Sequence, residues 1–153
     1  MQTLVDEVAS YNDALAMRGN PIPAFFWSIP MADRLVESNG IGSDDPSVQW
    51  AMGPLNAFLP WMEFASVPHD ELWSVRWNDG SESRFHQSNA IFRDLLLAKA
   101  DGSYSWLPSR FLREWRRDAM RFEANVAHGV LEMAFSIWVK NAAQPDEGPE
   151  RMA

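Results

Sequence analysis

The chain has 153 residues, 46% of them hydrophobic, and no cysteine. It is therefore long enough for one domain with a substantial core, and it holds no disulfide, thiolate nucleophile or cysteine-bound metal. Thirteen Lys and Arg against 21 Asp and Glu leave a net charge of −8, which opposes phosphate-rich partners and argues against nucleic acid and anionic membrane as ligands. The first seventeen residues carry Asp6, Glu7 and Asp13 and no basic side chain. A secretory leader opens on basic residues followed by an apolar run, so a cytoplasmic location is expected.

Residues 3–18 predict an amphipathic helix. Leu4, Val8, Tyr11 and Leu15 form one apolar stripe, Thr3 and Asp6 have capping-box spacing, and Gly19 is placed to stop the helix. Residues 20–70 contain seven of the ten prolines, which predicts short helices joined by tight corners. Within this stretch Ala24–Ile29 suits a buried strand or a short helix, Pro30 opens a helix through Ser38, and Ser43, Asp44 or Asp45 caps another with Pro46 at its first position.

Residues 72–87 predict a β-hairpin. Trp73, Val75 and Trp77 alternate, and Asn78-Asp79-Gly80 suits a three-residue loop with Gly80 left-handed. That register sets Trp73 opposite Phe85 and Arg76 opposite Glu82. A helix capped by Ser88 then runs to about Lys99. The last element is read as one helix over 109–140, because Phe111, Trp115, Ala119, Phe122, Val126, Val130, Met133 and Ile137 trace a continuous apolar stripe. The stripe is expected to be core, with the second half of the helix central and a bend marked by Gly129. The fold class expected is α+β, mainly helical, with short helices and the hairpin packed on this long C-terminal helix. Residues 1–141 form the single domain, and 142–153 are a disordered tail.

Catalytic motifs are absent: there is no nucleophile elbow, phosphate-binding glycine loop, dinucleotide fingerprint or zinc-protease helix. His128 and Glu132 stand one helical turn apart and could form an acid–base pair or half of a metal site, but no Glu-x-x-His partner accompanies them. His69-Asp70-Glu71 reads as a capped turn, and His86 as part of a solvated polar face. Arg110, Arg113, Arg117 and Arg121 line one helix face, suited to docking carboxylates or phosphates or to pairing with Glu114 and Asp118. Eight tryptophans exceed what one small core can readily satisfy, so some should lie at a pocket or partner surface.

Residues 1–75 hold the entire net charge of −8 together with dense Pro, Phe and Trp. The reading that follows is a non-catalytic interaction module, an inhibitor, adaptor or chaperone-like binder docking on a basic protein surface, in one form as a nucleic-acid mimic. Asp44, Asp45, Trp50, Trp61, Glu63, Asp70 and Glu71 are its expected contacts, with Arg110, Arg113, Arg117 and Arg121 as a second surface. No metal or cofactor is expected, and homo-oligomerisation is compatible with the composition. A small-molecule binder with an aromatic pocket is the alternative, followed by an enzyme using His and Glu as acid–base groups.

Overall fold

The computed structural model describes residues 2–29, 60–74 and 76–143. The expected helix over 30–38, the cap at Ser43, Asp44 or Asp45, Trp50, Val75 and nearly all of the expected tail lie outside those residues. Seven α-helices and no strand occur among the described residues, so the chain is helical rather than α+β.

The amino-terminal stripe forms as its spacing requires, but over two helices, α1 (Gln2–Ser10) and α2 (Asn12–Met17), separated at Tyr11. Val8 and Leu15 are fully buried, with Leu4 and Tyr11 packed against the core beside them. Gly19 ends α2 with a positive φ of 79°. Gly19 N donates to Ala16 O and Asn20 N to Leu15 O, the paired bonds that satisfy the last carbonyls of a helix closed by a left-handed residue. The ambiguous run at 24–29 is a short helix, α3 (Ala24–Ser28), with Phe26 buried.

No hairpin forms among the described residues of 72–87. Trp73 ends α4 (Glu63–Trp73), which follows a 3₁₀ turn at Pro60–Met62, and Phe85 lies in the first turns of α5 (Glu82–Gly102). Trp73 and Phe85 do meet, with ring centroids 5.8 Å apart, but across two helices. The loop between them is an N-terminal cap. Asn78 Oδ1 accepts from Gly80 N, Asp79 Oδ1 accepts from Ser81 N, and Ser81 Oγ accepts from Arg84 N to start α5. Gly80 is left-handed, at φ 78°, in the service of this cap. Ser88 is accordingly interior to α5 and not its cap. Arg76 approaches Glu71 at 3.9 Å rather than Glu82. Pro68 and His69 belong to α4, where Pro68 forfeits one helical hydrogen bond. Burial of Phe64, Ala65, Val67, Leu72 and Trp73 along the same helix offsets that loss.

The central element is α5, which packs on α2, α4, α6 (Arg110–Glu132) and α7 (Phe135–Ala142) and buries Phe85, Ile91, Phe92, Leu95 and Leu96. The expected single helix over 109–140 is broken at Met133–Ala134 and not at Gly129. Breaking there seats Trp138, which has no exposed surface, against Trp73, Trp77 and Phe85. Its indole N–H donates to Ser81 O, and Asn78 Nδ2 donates to its carbonyl. The expected core stripe of α6 is overturned as well. The helix buries Met120, Ala124, Ala127 and Leu131, and it leaves Phe111, Trp115, Phe122 and Met133 on the outside. Small side chains at 124 and 127 let α6 lie close along α5, which larger residues at those positions would prevent.

Candidate interaction surface

Helix α6 carries two apolar faces. The inner one is made of small and flexible residues against α5. The outer one is the larger: Leu112 is 47% exposed, Trp115 58%, Phe122 70%, Val126 41% and Met133 83%. Residues 112, 115, 119, 122, 126 and 129 alternate steps of three and four, a heptad seam in a helix of 23 residues, about 35 Å long, and Met133, the C-cap, continues the row. Ala119 and Gly129 provide the gaps in it. Exposed apolar side chains occur singly on most proteins, but a contiguous row this long is the mark of an association surface.

The surroundings hold the seam in place. Ser109 Oγ accepts from Leu112 N and caps α6. Arg113 Nη1 donates to Leu107 O and Arg117 Nε donates to Ser103 O, so both pin the 103–107 loop to the helix. Trp106 on that loop is 77% exposed. Arg121 binds Asp101 at the end of α5 and Asp118 on its own helix, and Arg18 reaches the same Asp101. Three of the four arginines expected to dock a partner are therefore engaged within the chain. Arg110 makes no ion pair among the described residues. Arg116 lies over the Trp115 ring at 5.3 Å and has no carboxylate within ion-pair distance among the described residues. An open concavity of about 530 Å3 beside Trp115 is lined by Arg110, Phe111, Glu114 and Asp118, and another of about 450 Å3 lies between Trp61, Trp106, Arg116, Met120 and Glu123.

The acidic contacts expected in residues 20–70 are not gathered on one open face among the described residues. Asp44, Asp45 and Trp50 lie outside them. Trp61 is half-buried and its Nε1 donates to Glu123. Glu63 is exposed at the start of α4, whereas Asp70 is mostly covered and Glu71 is buried.

All three histidines join one polar network, which no single sequence motif displays. His69 Nε2 lies 3.1 Å from Asn89 Oδ1, Asn89 Nδ2 donates to Glu132 Oε1, and Glu132 Oε2 is 2.6 Å from His86 Nδ1. His128 Nε2 is 3.4 Å from Glu132 Oε1. Burial drives His69 down to a pKa of about 4, although its bond to Asn89 works the other way. Burial, with the Arg93 guanidinium nearby, also lowers His128. Desolvation pulls His86 down too, but hydrogen bonds to Glu82 and Glu132 outweigh it and hold its pKa above the ordinary value. Among the described residues no three His, Asp or Glu side chains form a metal site, and no helix is long and apolar enough to cross a membrane. The network ties α4, α5 and α6 together: a buried neutral imidazole and an amide bridge to a carboxylate shared by two outer histidines.

Comparison with protein-family models, with curated proteins and with solved structures finds no match to the chain.

Proposed function

We propose that this protein is a non-catalytic interaction module whose docking surface is the outer seam of α6, and that its partner is an amphipathic helix. The carrying observation is the row Leu112, Trp115, Phe122, Val126 and Met133, exposed at heptad spacing on a helix whose opposite face already serves the core. Steps of three and four select a helical occupant, because only a helix presents side chains that interleave with such a row along its length. Trp115 and Phe122 supply large, stiff contact area of the kind that dominates binding energy, and the flanking arginines and carboxylates supply a polar rim. This places the adaptor-type reading on α6 instead of on the acidic residues of 20–70.

Phe122→Glu tests the reading. Phe122 is 70% exposed, so the variant should keep the wild-type melting transition. It should weaken binding of a partner, identified from the native cell and then purified and titrated directly, by tenfold or more. A purified partner that binds wild type and Phe122→Glu equally would place docking elsewhere.

A further inference from the structure

We infer that the helix docking on the α6 seam is α6 of a second copy of this chain, running antiparallel; this rests on the reading of the seam as a docking surface. Three features of the seam carry it, and each concerns what the second helix must look like.

The first is size. Antiparallel pairing with Ala119 opposite the partner's Phe122 sets Trp115 opposite the partner's Val126 and Leu112 opposite the partner's Gly129. By symmetry, each contact occurs twice. Each of these three layers then joins a large side chain to a smaller one, the condition for interleaving at close-packed density, and Met133 lies beyond the paired length. Parallel pairing sets each residue against itself, with Trp115 and Phe122 each facing a like aromatic and Gly129 facing Gly129 across a void.

The second is charge. In antiparallel pairs the residues just after the Trp115 and Phe122 positions face one another across the seam. Arg116 therefore meets the partner's Glu123, and Glu123 meets the partner's Arg116. Sliding the pair by one heptad in either direction sets Arg116 against Arg116 or Glu123 against Glu123. Parallel pairing sets Asp118 against Glu123. Like charges in these flanking positions reject those arrangements, so one register survives. Arg116 has no carboxylate partner among the described residues, and Glu123 uses one oxygen for Trp61 and keeps another.

The third is Gly129. Glycine within an exposed helix costs about 1 kcal/mol relative to alanine. A Cβ at 129 would meet nothing within 4 Å, so no contact within the chain calls for glycine there. Its backbone needs no positive φ either. A hole at 129 that admits the partner's Leu112 gives the residue a role that the single chain lacks.

Sedimentation of the purified full chain tests the inference. The expected result is a concentration-dependent species of twice the chain mass. Arg116→Glu alone and Glu123→Arg alone should each weaken it about tenfold or more, and the double variant should recover most of that loss. Gly129→Leu should abolish the dimer while leaving melting near that of the dilute, monomeric wild type, because nothing in the chain crowds the site. Direction is read with introduced cysteines, free of interference because the chain has none. Mixed Leu112→Cys and Gly129→Cys chains should cross-link, and Gly129→Cys alone should not. Failure of the double variant to recover association, or cross-linking of Gly129→Cys by itself, would overturn the antiparallel pairing. A wild-type chain that stays monomeric at high micromolar concentration would overturn the second copy as occupant; the seam as a docking surface would then stand or fall on the Phe122→Glu titration of a different partner.

Discussion

Trp138→Ala should lower the unfolding free energy by about 3–5 kcal/mol, while Trp115→Ala should change it by about 0.5 kcal/mol or less in a monomeric sample. Sequence periodicity alone assigns Trp115 to the core, since it sits in the middle of the apolar stripe. In the fold Trp138 has no exposed surface, touches Trp73, Trp77 and Phe85, and donates its N–H to Ser81 O, whereas Trp115 is 58% exposed. Removing Trp138 opens a cavity among three aromatic rings that cannot all close in, and it leaves the α5 cap without one of its bonds. Chemical denaturation of both variants measures the difference. Equal losses, or a larger loss at Trp115, would mean that α6 turns its other face to the core.

Acidification from pH 6.5 to pH 4 should cost the fold stability on the order of 3 kcal/mol through His69 alone. His69 lies against Trp73 and Phe92, and burial lowers its pKa to about 4 from an ordinary 6.5. The unfolded chain therefore binds a proton in this window that the folded chain refuses. Stability is full above pH 6.5, falls as pH drops toward 4, and levels off below that for this group. His128, also lowered, acts in the same direction. His86, raised, acts in the opposite direction, but it is exposed and solvent screens its contribution. The Nε2–H of neutral His69 donates to Asn89 Oδ1, a bond that a glutamine amide can imitate. His69→Gln should thus flatten the slope of stability between pH 6.5 and 4 relative to wild type. An unchanged slope would assign the acid lability to other groups.

Several elements are legible in the sequence and others mislead for identifiable reasons. Leu4, Val8, Tyr11 and Leu15 mark a buried stripe, and Gly19 marks its end, because a helix face and a left-handed stop depend only on neighbours in the chain. The Trp73, Val75, Trp77 alternation misleads because Trp73 is the last residue of α4 and Trp77 lies in the turn beyond it, and both rings are turned to Trp138, a residue distant in sequence. Asn78-Asp79-Gly80 carries a true turn signal; what it closes, a hairpin or a helix cap, depends on residues distant in sequence. The α6 error follows from treating large apolar residues as interior. Apolar residues also make up much of a protein surface, and the face that packs closest is the one with the smallest side chains, Ala124 and Ala127. The stripe read from sequence shares Trp115, Ala119, Phe122, Val126 and Met133 with the exposed seam, but it runs through Val130 and Ile137 instead of Leu112 and Gly129 and points to the core. The histidine network is not legible, because its Asn89 and Glu132 bridges join α4, α5 and α6.

The central claim is that the Trp115 and Phe122 face lies outside the core and closes on association. Hydroxyl-radical footprinting, run at protein concentrations above and below the sedimentation midpoint, tests it most directly. Trp115 and Phe122 should be oxidised in the dilute chain and protected in the concentrated one, with Trp138 protected throughout. Protection of Trp115 and Phe122 in a sample that sediments as a monomer, or their oxidation at every concentration, would contradict the account.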